Sequence, residues 1–224
     1  MNNADTAPRQ TPPQTPQHNG LPTPCALPLE WRVSASPIDY DAAMTEMAAR
    51  VDAIHHGTAG ELIWLLEHPP VYTAGTSAKE DDLINPGDAL IRRVGRGGEW
   101  TYHGPGQRVV YIMLDLTKRG QDVRLFVREV ESFTINSLGR LGITATRRDG
   151  YPGVWVPAKD EHTAPDKITA IGVRLTKWVS WHGMAVNLNP DLKAFDGIIP
   201  CGIHDGGVTK ITAHRPNTSM NELD

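Results

Sequence analysis

Leu62-Ile63-Trp64-Leu65-Leu66, stopped by His68-Pro69-Pro70, is an apolar run of strand length ended by proline, and it reads as a buried strand. A strand buried on both faces needs cover, and its flanks supply it. On the N-terminal side, after Asp39, Tyr40, Met44, Met47, Val51 and Ile54 recur at spacings of 4, 3, 4 and 3, and Gly57 follows as a stop. That is an amphipathic helix. On the C-terminal side a short partner strand is expected at residues 71–73 and another strand at 109–116. Val123, Phe126, Val127, Val130, Phe133, Ser137, Leu138 and Leu141 then trace a second helical face, closed by Gly142. Short β-rich segments follow at 153–156, 168–175 and 178–188, with an insertion rich in charge and proline at 158–166. The expectation is an α+β fold, with helices and several strands around one sheet.

Composition narrows the class. The chain has 224 residues, 39% of them hydrophobic, and a formal net charge of -4, enough for one good-sized core. The expected organisation is a disordered tail over residues 1–28, dominated by Pro, Thr, Gln and Asn, and a single domain over 29–224. Slight acidity argues against a protein that neutralises nucleic-acid phosphates. The two cysteines, Cys25 and Cys201, form no closely spaced pair, which fits a reducing compartment. With no secretory signal and no long apolar run, a soluble cytoplasmic protein without membrane or nucleic-acid partners is expected.

Three constellations carry chemistry. Arg96-Gly97-Gly98-Glu99-Trp100-Thr101-Tyr102-His103-Gly104-Pro105-Gly106-Gln107 combines glycines, which let backbone approach a ligand, with side chains that donate and accept hydrogen bonds. It lacks the Gly-Lys-Ser/Thr ending of a phosphate-binding loop, and an ordinary turn-rich connection is an even competitor. Ser180-Trp181-His182-Gly183-Met184-Ala185-Val186-Asn187 puts small residues in a strand, which suits the wall of a slot for an alkyl chain. Lys167, opening Lys167-Ile168-Thr169-Ala170-Ile171-Gly172, and Cys201, in Ile199-Pro200-Cys201-Gly202-Ile203, form the third. A thiol attacks as thiolate, and an adjacent ammonium favours that form. A buried, inert cysteine and a solvated lysine are the plain alternatives. Cys201 with His204 suggests half of a metal site, but no second pair completes it, so neither a metal nor another cofactor is assigned.

In this order and spacing the three constellations closely resemble the lipoyl(octanoyl) transferase family, over about Leu62 to Thr209. The resemblance implies a mixed β-sheet flanked by helices, like the catalytic domain of biotin and lipoate protein ligases. It implies transfer of an octanoyl group from octanoyl-acyl carrier protein to Cys201 as a thioester. The group then passes to a specific lysine on lipoyl domains of 2-oxoacid dehydrogenases or on glycine cleavage H protein. Lys167 would lower the thiol pKa and shuttle protons. Arg96, Gly97, Gly98, Glu99, Trp100, Thr101, Tyr102, His103, Ala170, Ile171, Gly172, Gly183, Met184 and Ala185 would contact substrate. For the base that takes the acceptor lysine's proton, neutral Lys167 leads and His103 follows. Family members carry a further C-terminal helix, so a shortened C-terminal segment is expected.

Two other functions compete. Arg92-Arg93-Val94-Gly95-Arg96-Gly97-Gly98 loosely echoes the basic, glycine-rich loop of ATP-dependent lipoate and biotin protein ligases, which need no cysteine nucleophile. A non-catalytic module that binds acyl carriers is the third reading, and in it Cys201→Ser changes nothing.

Overall fold

A computed structural model of the chain describes residues 28–157, 164–199 and 206–224. All but the last residue of the expected tail (1–27 of 1–28), most of the charged insertion (158–163) and Cys201 with its neighbours (200–205) lie outside the described residues.

The first helix forms as α1 (Tyr40–His55), where the Asp39 carboxylate accepts the Ala42 N–H at 3.0 Å and satisfies one of the first turn's unpaired donors. The second forms as α2 (Val123–Arg140), capped by Asp122, which accepts from the Arg124 and Leu125 amides. The described residues also form ten strands, the first of them ahead of α1: β1 (Glu30–Val33), β2 (Leu62–Leu66), β3 (Val71–Ala74), β4 (Leu90–Arg93) and β5 (Trp100–His103) in the first half. β6 (Gln107–Met113), β7 (Thr146–Arg148), β8 (Tyr151–Val156), β9 (Asp166–Thr176) and β10 (Val179–Asn187) complete the set. Two short helices, α3 (Ile211–His214) and α4 (Met220–Leu223), end the chain.

The strands do not share one sheet, as the sequence suggested, but two. Seven pair in the order β1-β2-β6-β10-β9-β8-β7, antiparallel except for β1 with β2, and β4-β3-β5 make a separate small sheet. Proline explains the division. Pro69-Pro70 ends β2 and Pro105 follows β5, so the chain leaves the large sheet after β2 and returns to it only at β6.

Strand alternation assigns each face of the large sheet its helix. Leu62, Trp64 and Leu66 with Val109, Tyr111 and Met113 pack against Ala43, Met47, Val51 and Ile54 of α1. The intervening Leu65, Val110 and Ile112 pack against Phe126, Val130 and Leu138 of α2. A third cluster joins Tyr72, Ala74, Trp100 and Tyr102 of the small sheet to Phe195 and Ile198.

Two residues of the expected α2 face depart from it: Val123 is 39% exposed and Phe133 53%. Glu131 is buried instead, ion-paired with Arg147 at 2.9 Å and accepting the Gly153 amide at 3.1 Å, so it fixes α2 to the β7–β8 hairpin.

Met47 is fully buried between α1 and the sheet, whereas Met44 is only half buried. Met47→Ala should lower urea-unfolding stability by about 2–5 kcal/mol, and Met44→Ala by well under half as much.

Candidate active site

The two sheets meet at Arg96 and Gly97. The Gly97 amide donates to the Val173 carbonyl of β9 at 2.9 Å. The buried Arg96 guanidinium donates to the Thr73 carbonyl at 2.7 Å, the Thr73 hydroxyl at 2.8 Å and the Gly97 carbonyl at 3.0 Å. Gly172 makes room for this contact, since a Cβ there would sit 3.1 Å from both Arg96 Cδ and the Gly97 oxygen. Beside the seam opens a cleft of about 460 Å³, within the usual size of a small-molecule site.

The strand period of the small sheet divides the glycine-rich motif between two environments. Arg96, Gly97, Gly98, Glu99, Thr101 and His103 line the cleft. Trp100 and Tyr102 alternate to the opposite face and pack with Phe195 and Ile198, away from it, although the motif suggested substrate contact for the whole run. From β9 and β10 come Lys167, Ala170, Ile171, Gly172, Gly183, Met184 and Ala185. Val123, Val127, Tyr151 and Pro152 also belong to the lining, and no local motif marks them.

Lys167 reaches the cleft through a bulge. Val154 pairs with Thr169 but Trp155 pairs with Lys167, which leaves Ile168 as an extra residue on β9. The extra residue sends Ile168 into the core and turns Lys167 onto the face shared by Ala170 and Gly172. There the Lys167 Nζ stands 4.7 Å from the centroid of the Trp155 ring and 3.4 Å from the Pro152 carbonyl oxygen. Its methylenes lie over Gly153, whose φ of +132° and whose Cβ position, 2.7 Å from the Thr169 oxygen, exclude other residues. The side chain is buried, not the solvated surface lysine of the plain alternative.

Cys201 itself is outside the described residues, but the segment that follows it is tied to Lys167. The Lys167 amide donates to the Gly207 carbonyl, and the Thr209 amide donates back to the Lys167 carbonyl, both at 2.9 Å. Before the gap, the Ile199 amide donates to Asp82 O at 2.8 Å.

A polar chain runs from this segment to the glycine-rich motif. Asn187 Nδ2 donates to Thr209 O at 3.0 Å, and Asn187 Oδ1 accepts from Gln107 Nε2 at 2.9 Å. Gln107 Nε2 also donates to Tyr102 O, so its Oε1 faces His103 Nδ1 at 2.7 Å and accepts the hydrogen bond from its N–H. In the neutral His103 ring Nε2 then carries no hydrogen. Burial, then the neighbouring His68 imidazole, hold its pKa down to about 3. A group that holds a proton so poorly is a weak general base, which favours Lys167 over His103.

His182 is turned into the site by a kink. Successive strand residues point to opposite faces, yet the Trp181 and His182 rings stack at 5.6 Å and 24°. The cause is φ of +60° at His182, followed by +157° at Gly183, where a Cβ would lie 2.3 Å from the Val110 oxygen. His182 thereby meets Tyr111 edge-on, and burial, then Arg96 and Arg174, push its pKa down to about 3. Tyr111 also donates to His68 Nε2 at 2.7 Å, because the His68 Nδ1–H donates to the Ile38 carbonyl.

The sequence pattern of the lipoyl protein ligase A/B catalytic domain matches residues 39–224. The chain belongs to that family. A protein named octanoyltransferase from Chelativorans sp. (strain BNC1) is 50% identical over 217 residues, 94% of this chain and 88% of the relative. Another of that name, from Caulobacter vibrioides, is 54% identical over 200 residues, covering 89% and 88%. Among solved structures, a bi-partite lipoate protein ligase from Thermoplasma acidophilum superposes with a TM-score of 0.61 at 17% identity, covering 87% of this chain and 79% of that one. Lipoate-protein ligase A bound with ATP gives 0.60 at 17%, covering 87% and 81%. At that identity the likeness shows the fold: the mixed sheet flanked by helices of lipoyl protein ligase catalytic domains. Among the described residues no three His, Cys, Asp or Glu side chains are grouped to hold a metal, and no helix is long and apolar enough to cross a membrane.

The two histidines pushed down to about 3, His103 and His182, have a consequence for stability. The unfolded chain binds their protons below about pH 6.5, and the folded protein does not until about pH 3, so stability is present above this window and lost as pH falls through it. Urea unfolding should show less stability at pH 5 than at pH 7, and His103→Asn should reduce that difference by about 2 kcal/mol. An unchanged difference would contradict the neutral, buried imidazole.

Proposed function

We propose that the protein is an octanoyltransferase that takes an octanoyl group from octanoyl-acyl carrier protein onto Cys201 and passes it to a lysine of a lipoyl domain or glycine cleavage H protein. The observation that carries the reading is the buried Lys167 at the cleft wall, bonded through its backbone to the segment that follows Cys201. Relatives about half identical along nearly the whole chain bear the name of this activity.

The chemistry follows from the groups. An ammonium within about 4–6 Å of a thiol lowers its pKa by about 1–3, enough to leave thiolate abundant near neutrality. The Cys201 thiolate attacks the carbonyl carbon of the donor thioester, and the carrier's thiolate leaves with a proton. One thioester replaces another, so no nucleotide is consumed. The acceptor amine then attacks the Cys201 thioester, an amide forms, and the cysteine leaves as thiolate. Lys167, having given up its proton in the first half, receives the amine's proton in the second. Ala170, Gly172 and Ala185 give the cleft walls of small side chains and exposed backbone, which suit an unbranched alkyl chain.

Incubation with octanoyl-acyl carrier protein, without ATP, should add one octanoyl mass to the intact protein. Hydroxylamine should remove it, and Cys201→Ser should never acquire it. Wild type that stays unmodified, or an adduct formed only with ATP and magnesium, would refute the covalent route.

A further inference from the structure

Beneath α2 lie two more cavities that the transfer chemistry does not use. One, of about 320 Å³, is walled almost wholly by apolar side chains, with Ile112, Leu116, Phe126 and Val130 at its centre. The other, of about 270 Å³, lies toward the far end of α2, beside Leu65, Leu138 and Val186. Among the described residues only Met184 borders all three spaces, the cleft included.

Its position follows from strand alternation in β10. Ala185 keeps to the α1 side with Val109 and Tyr111, whereas Met184 is in the cluster on the α2 side. Gly183 has no side chain, so the methionine is the first bulk met beyond the glycine. The Thr134 hydroxyl of α2 lies 3.0 Å from its sulfur. A thioether held by one weak contact, on an unbranched side chain, is a soft partition.

We propose that Met184 is the end wall of the acyl cleft and sets the length of chain the protein accepts. The inference rests on the acyl-transfer reading above. With Met184 in place an eight-carbon chain ends against it. A longer chain has to displace the side chain or leave methylenes outside the cleft, and each misplaced methylene weakens binding. Cutting the side chain back joins the cleft to the apolar space beneath α2, whose surfaces suit a continuing alkyl chain.

The test compares rates of thioester formation from octanoyl and dodecanoyl carrier-protein donors, read by intact mass. Wild type should favour octanoyl by at least about tenfold, Met184→Ala should cut that ratio about tenfold or more, and Met184→Leu should keep it. A purely structural role for Met184 would slow both donors alike and leave the ratio where it was. An unchanged ratio in M184A that melts like wild type overturns the proposal; should M184A unfold, M184V makes a smaller opening and is read the same way. Wild type that accepts neither donor would refute acyl transfer itself, and the end-wall role with it.

Discussion

The site depends on the seam where the Gly97 amide bonds the Val173 carbonyl of the large sheet and Arg96 ties the same loop to the small sheet. Its guanidinium is fixed by Thr73 and Gly97, and Gly172 gives it room across the gap. Two walls of the cleft come from different sheets, so their separation is set where this clip holds them together. The same buried charge acts on the aromatic lining: it depresses the protonation of His103 and His182 and favours the ionised forms of Tyr40 and Tyr111 against burial. Lysine would not replace it, because a point charge on a flexible stem cannot bond three acceptors in one plane.

Lys167 is placed by a second set of constraints, all backbone in origin. The bulge at Ile168 turns the side chain to the cleft, Gly153 gives it room to lie flat, and Trp155 offers a π-face to its head. Arg148 lies 5.2 Å from the same ring, so the indole is a neighbour to two cations. The ring face attracts a cation and holds the amine at the cleft wall.

Much of this was legible in the chain. The apolar run at Leu62, the helical spacings around Met47 and Val130, and the strands flanking Gly172 and Gly183 all lie where periodicity places them, because each pattern matches a face buried in a core. The split into two sheets was not, since proline marks where a strand stops and not which sheet the next one joins. Trp100 and Tyr102 were grouped with their neighbours because a motif is read as a unit, whereas a strand divides it by parity. Glu131 and Trp155 were missed for another reason: each gains its role only through a partner distant in sequence, Arg147 and Gly153 for the first and Lys167 for the second.

The central claim is that the cleft at the seam holds an acyl chain carried by Cys201 beside Lys167. A crystal structure of the octanoylated protein tests it most directly. The account predicts a thioester at Cys201 with Lys167 Nζ within ion-pair reach of the sulfur, and an alkyl chain running past Gly172 and Gly183 to stop at Met184. An acyl chain of the wild-type protein lying in the apolar space beneath α2, or a thioester remote from Lys167, would contradict it.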